Sequence, residues 1–195
     1  MNGSATVVRS GCMAKDADMI LSEFILLGIG GKELSEENAA QTAKALNIIQ
    51  PDFIRVHATG IKLESKLGEF VRDGSFTLQS EEEIVIEQKL FLQQLHEMDS
   101  YYVNEHIVNL LLEVRGNLRT EKQEMLSTID RFLTLPPDER LLFTVGRRLN
   151  IFFRLDDLKK PKLHQKAGES LQQILSKNPH VDFAALYNYV RQSQI

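Results

Sequence analysis

The sequence predicts an α/β protein: a partial (β/α) barrel of a few parallel strands, followed by a mostly helical C-terminal extension. Three observations point there. An apolar, β-prone run at residues 20–28 ends in the glycine turn Gly28-Ile29-Gly30-Gly31, and a helix start follows at once. A second β-prone run at residues 53–59 comes after that helix, within about 40 residues of the first, which is the span of a βαβ unit with a right-handed crossover. Beyond residue 103 the apolar periodicity is helical. A complete barrel needs eight strands and roughly 250 residues, and these 195 residues carry about three recognisable strands. Residues 1–103 are therefore expected to form the last part of a barrel and residues 104–195 a helical extension.

Residues 7–17 show only a weak apolar period, broken by Gly11, and suggest a helix remnant. Residues 20–28 have little polar alternation, which predicts a strand buried on both faces, as in a parallel sheet. Ser35 is placed as an N-cap, with Glu36 and Glu37 in the first turn where the helix dipole favours acids. Ala39, Ala43, Leu46 and Ile49 then share one face of a helix over 36–49, which Pro51 stops. In the second strand Arg55 and His57 are one side-chain repeat apart and so lie on the same face.

Residues 63–71 read as a short helix ended by Asp73-Gly74. Ser80-x-x-Glu83 is a capping box that opens a helix to about residue 97, with Ile84, Phe91 and Leu95 inward. A short strand is expected at 100–103, and residues 107–114 are apolar without a decisive period. Thr120-x-x-Gln123 is a second capping box, before Met125, Leu126, Ile129, Phe132 and Leu133. Pro136-Pro137-Asp138 starts a further helix with Leu141, Leu142, Val145 and Leu149 as its inner face. Helices over 162–177 and 182–192 are separated by Asn178-Pro179.

Composition is that of an ordinary globular protein: 43% hydrophobic, 26% charged, net charge -4. That balance gives no electrostatic case for nucleic acid. The local basic groups Arg147-Arg148 and Lys159-Lys160-Pro161-Lys162 read as solvated helix ends. No apolar run approaches the roughly 20 residues that span a bilayer, and the first residues lack the pattern of a signal peptide. Cys12 is the single cysteine, so neither an internal disulfide nor a cysteine metal cluster is expected, and the cytoplasm is the expected compartment.

In β/α folds ligands bind at the carboxyl ends of strands, so the glycine turn is where a small-molecule site is expected. It satisfies neither nucleotide motif: the third glycine of G-x-G-x-x-G is replaced by Glu33, and a P-loop would need glycine at Leu26 and a hydroxyl at Glu33. A plain strand-to-helix turn is the alternative. Arg55 reads either as a structural cation or as an anchor for a carboxylate or phosphate, which a guanidinium suits. Asn104, Glu105, His106 and Asn109 read as caps and surface contacts before they read as a site. Glu81-Glu82-Glu83 fits a helix N-terminus. His96-Glu97 lacks the second histidine of a zincin, and no serine sits in a G-x-S-x-G elbow, so neither catalytic nor metal-ligating residues are assigned.

Several stretches together resemble the C-terminal half of radical S-adenosylmethionine enzymes, with a core like that of the Elongator catalytic subunit or coproporphyrinogen dehydrogenase. Residues 21–35 resemble the fifth barrel strand and its glycine turn. Thr42-Ala43 and Pro51-Asp52-Phe53-Ile54-Arg55-Val56 resemble the next helix and the sixth strand. Gly68-Glu69-Phe70, Gly74-Ser75-Phe76 and Ser80-Glu81-Glu82-Glu83 continue in register, and His106-x-x-Asn109, Gly116-Asn117-Leu118, Lys122 and Leu126-x-x-Ile129-Asp130 resemble the family's tail.

The resemblance implies S-adenosylmethionine as cofactor, with Gly28, Gly30 and Gly31 against it and Arg55 facing the barrel interior. The family's C-x-x-x-C-x-x-C loop, which holds a [4Fe–4S] cluster, is absent, so that cluster is expected only in full-length relatives or a partner chain. Leu63-Glu64-Ser65 also stands where relatives carry Pro-Gly-Thr/Ser. The isolated chain is expected to be inactive in radical chemistry. Its expected partners are an N-terminal half in a separate chain, or a second copy joined through open sheet edges. The alternative is a stand-alone helical interaction module without a cofactor, and whether the chain belongs to an enzyme stays open.

Overall fold

Two apolar runs, divided by the glycine turn and by Pro51, pair as parallel strands in the computed structural model, which describes residues 3–192. Strand β1 (Ser22–Leu27) lies beside β2 (Phe53–Ala58), and β2 beside β3 (Tyr101–Val103), all parallel. A two-residue strand, β4 (Gly116–Asn117), runs antiparallel to β3 and closes that edge. The strand order is β1-β2-β3-β4, and the outer edge of β1 has no strand partner among the described residues.

Helix α1 (Gly3–Asp16) is longer than the remnant expected. Gly11, which weakened its periodicity, is where it meets α2: a side chain there would come within 2.7 Å of Ile49. Helix α2 (Ser35–Ile49) buries the four residues that the period of 3.6 selects, Ala39, Ala43, Leu46 and Ile49. Ser35 is not its N-cap. Leu34 holds that position without a side-chain bond, and the Ser35 hydroxyl is turned inward to Glu87. Helix α3 (Lys66–Asp73) begins at a genuine cap, Ser65, and ends on the left-handed Gly74. Helix α4 (Glu81–Gln94) starts with the reciprocal Ser80–Glu83 capping box.

After β3, residues 104–115 form turns and bends. Helix α5 (Lys122–Leu133) starts from Glu121 without a side-chain cap, so the Thr120 box does not form. The Glu121 carboxylate bonds instead to the Asn117 N–H at 2.7 Å and secures β4. Helix α6 (Pro137–Arg148) has proline in its first turn. A short 3₁₀ helix (Leu155–Lys159), α7 (Pro161–Lys177) and α8 (Phe183–Gln192) complete the described chain. Arg147 and Arg148, expected as a solvated helix end, are both buried, while Leu149 at the end of the expected inner face is exposed. Arg147 is held by the Ile107 carbonyl and Arg148 by Glu81, and the Phe152 ring packs closely against Gly146 beside them.

Helices α2 and α4 cover one face of the sheet. Ile25, Leu27, Ile54, Val56, Ala58 and Tyr102 point into that core, which continues through α4, α5 and α6 to Ala167 of α7. The opposite face is uncovered. β1 was expected to be buried on both faces, yet Phe24 is 63% and Leu26 46% exposed, because the helices pack from one side alone. No helix among the described residues is long and apolar enough to cross a membrane.

Candidate functional site

The glycine turn is held from inside by Glu87. Its residue sits on the apolar stripe of α4, between Ile84 and Phe91, and is fully buried. The Gly28 N–H donates to Glu87 Oε1 at 3.1 Å, the Asn38 amide to the same oxygen at 2.7 Å, and the Ser35 hydroxyl to Oε2 at 2.9 Å. One carboxylate therefore collects donors from the turn and from the first helix turn of α2, where the dipole favours negative charge. Asn38 also donates to the Leu26 carbonyl at 3.1 Å, and Gln79 donates to Ser35 Oγ at 2.8 Å.

Gly28 and Gly31 have φ of 82° and 62°, a region that side chains rarely enter. The Gly31 N–H is bonded to the Gly28 carbonyl and the Lys32 N–H to the Thr77 carbonyl. A side chain at Gly30 would press on the Leu34 carbonyl at 2.9 Å, and one at Gly31 on the Thr77 carbonyl at 3.0 Å. The absence of side chains at these glycines is thus used against the protein's own backbone.

Arg55 lies on the uncovered face, half-buried. Its Nε donates to Ser22 Oγ at 3.1 Å, and its guanidinium is 6.0 Å from the ring centres of both Phe24 and Phe53. The parallel register sets Arg55 beside Phe24 and Val103, and His57 beside Leu26. His57 and His106 stack with ring centroids 4.1 Å apart, and Phe24 meets the His57 edge at 5.4 Å. Burial first, then the neighbouring His106 and Arg55, hold the His57 imidazole below its ordinary range and favour the neutral ring. On this face the Arg55 guanidinium lies among the rings of Phe24, Phe53, His57 and His106.

The Asn104–Asn109 segment is brought to the carboxyl end of β2, where it does structural work. Asn109 accepts from the Ala58 N–H at 2.7 Å and donates to the Val56 carbonyl at 2.6 Å, so its side chain continues the sheet ladder past the end of β3. Asn104 donates to the Leu111 carbonyl and is joined to Asn109. Glu105 pairs with Arg115 on the surface. His106 alone of this group reaches the uncovered face.

Glu81 is not a solvated first-turn acid. It is buried, its carboxylate held by Arg148 Nε at 3.1 Å and Nη2 at 2.6 Å, and by Arg191 Nη1. Burial pushes its pKa up, but the two guanidinium groups outweigh that and hold it below the usual carboxylate range. The signals for these residues lay in the helical period: Glu87 is three residues from Ile84 and four from Phe91, and Arg148 is three from Val145.

Comparison with models of protein families, with curated proteins and with solved structures found no match to this chain. The described residues contain no group of three His, Cys, Asp or Glu side chains able to hold a metal ion, and one cysteine does not suffice for an iron–sulfur cubane. The residues present do not fit a cluster.

Proposed function

We propose that the chain is the C-terminal part of a radical S-adenosylmethionine-type β/α barrel, with its bare sheet face as one wall of a pocket for S-adenosylmethionine and substrate. The observation that supports this reading is the one-sided sheet. Two β/α units cover one face of the sheet with helices and leave Phe24, Leu26, Arg55, His57 and Tyr101 on the other, where the loop after β3 sets His106 on His57. A barrel's inner wall has this appearance when its remaining strands belong elsewhere. In such a pocket Arg55 would fix a carboxylate, and the His57–His106 stack would present a flat surface to a base. The cluster that supplies radical chemistry in the family would have to come from another segment, so this chain alone performs no radical reaction. The exposed β1 edge is where further strands, or a second copy, would join.

Isothermal titration calorimetry with S-adenosylmethionine and 5′-deoxyadenosine tests the reading. Binding weakened at least about tenfold by Arg55→Leu supports it; absence of heat from both ligands overturns it. A second reading, a cofactor-free interaction module, is favoured by the internal engagement of the glycine turn with Glu87. Under it, neither ligand binds and Arg55→Leu changes only association with protein partners, seen by light scattering.

A further inference from the structure

Helix α8 is joined to the body of the protein through polar contacts. Among its described residues none belongs to the continuous apolar core, which runs from the sheet through α4, α5 and α6 to α7. Its buried side chains are Tyr187, Asn188 and Arg191, which fall together on one side of the helix. Asn188 accepts the Ile61 N–H at 2.8 Å and donates to the Ile61 carbonyl at 3.0 Å, so a side-chain amide pairs with the backbone just beyond the end of β2. Arg191 donates to the Glu81 carboxylate, both oxygens of which Arg148 of α6 already holds.

These contacts can be released without opening the core. If α8 lifts away, Glu81 keeps Arg148 and is not left as an unpaired buried charge. The Ile61 N–H and carbonyl and the Asn188 amide exchange their mutual bonds for water. Ile61 itself is buried but lies outside the continuous core. The seam is also incompletely filled, unlike a close-packed interior. A cavity of about 160 Å³ lies between Phe183 and Tyr187 of α8 and Glu81, Phe132, Arg140 and Thr144 of the body.

The helix is built to move as a unit. Asn178, Pro179, His180 and Asp182, which lead into it, are exposed. Asp182 Oδ1 accepts the Ala184 and Ala185 N–H groups at 2.9 and 3.2 Å, so the first turn of α8 is capped by a residue that travels with it.

We propose that α8 is a hinged strap that closes over the loop after β2 and opens while the sheet and the helices packed on it stay folded. Closed, it pins Ile61 beyond the carboxyl end of β2, the end at which β/α folds hold ligands. Open, it uncovers that loop and the first turn of α4. The strap is independent of the S-adenosylmethionine reading, which concerns the bare sheet face.

Amide hydrogen exchange of the full chain, followed residue by residue by NMR, tests this. The amides of Ile61 and of residues 186–191 should exchange together, at least about tenfold faster than those of Ile54 and Val56 inside the sheet. Asn188→Ala should speed exchange of Ile61 and α8 further and leave Ile54 and Val56 unchanged. Exchange of Ile61 and α8 at the slow rate of the sheet would overturn the proposal, because the helix would then open only on global unfolding. So would rapid exchange of α8 with Ile61 still protected, or an Asn188→Ala protein in which the sheet loses protection in equal proportion.

Discussion

Replacing Glu87 by leucine removes the acceptor on which the glycine turn closes. Three donors lose their partner: the Gly28 N–H, the Asn38 amide and the Ser35 hydroxyl. The Gly28 bond is buried, so its N–H bears a full desolvation penalty of about 1–3 kcal/mol. The other two are part-buried and can recover water, at about 0.5–1.5 kcal/mol each. Together these give a loss of about 2–6 kcal/mol, a large share of the roughly 5–15 kcal/mol that holds a typical domain. Glu87→Gln keeps one carbonyl oxygen for Gly28 and Asn38 and offers an amide N–H to Ser35 Oγ, so it should cost only about 1 kcal/mol. Urea denaturation of both variants, read at constant m-value, measures the difference. A leucine variant within about 1 kcal/mol of the parent would refute the claim that the turn is organised by this carboxylate.

Gly146→Ala places a methyl group 2.3 Å from the Phe152 ring, which is fully buried and stacked on Phe143 at 5.9 Å. Overpacking of this kind costs about 1–3 kcal/mol, and the expected fall in Tm is at least about 2 °C; a melt superimposable on the parent's would contradict it. His57 is expected to titrate below 6.5 in the folded chain, because burial, His106 and Arg55 all oppose its charged form. Its contribution to stability is present above pH 6.5 and is lost as the pH falls from there through the folded-state pKa. NMR titration should show the His57 pKa rising in His106→Ala, and an unmoved value would rule out coupling across the stacked rings.

Much of the architecture was legible in the residues themselves. The βαβ unit follows from two β-prone runs on either side of a helix whose four inner residues repeat at the helical period, and each of those four is buried. The Ser80–Glu83 capping box forms as read, because both of its bonds are local. The Thr120 box does not form, since the Glu121 carboxylate closes on Asn117 and the helix starts one residue later. The glycine turn was recognisable by composition, whereas its acceptor, Glu87, is 59 residues away and only packing of α4 beneath the turn brings it there.

Periodicity and turn chemistry act over a few residues, so the sequence by itself determined the βαβ unit, the buried face of α2, the capping box of α4 and that Arg55 and His57 share a side of β2. It also determined that no cysteine cluster can form within this chain. Only the tertiary structure decided which face of the sheet the helices leave bare, that His106 stacks on His57, and that Arg148 and Arg191 close on the buried Glu81 carboxylate. These outcomes depend on contacts across 49 to 110 residues of chain. A charged side chain looks the same in a sequence whether it ends in water or in a core. Its fate is settled by whether a distant helix closes over it and what that helix offers in place of water.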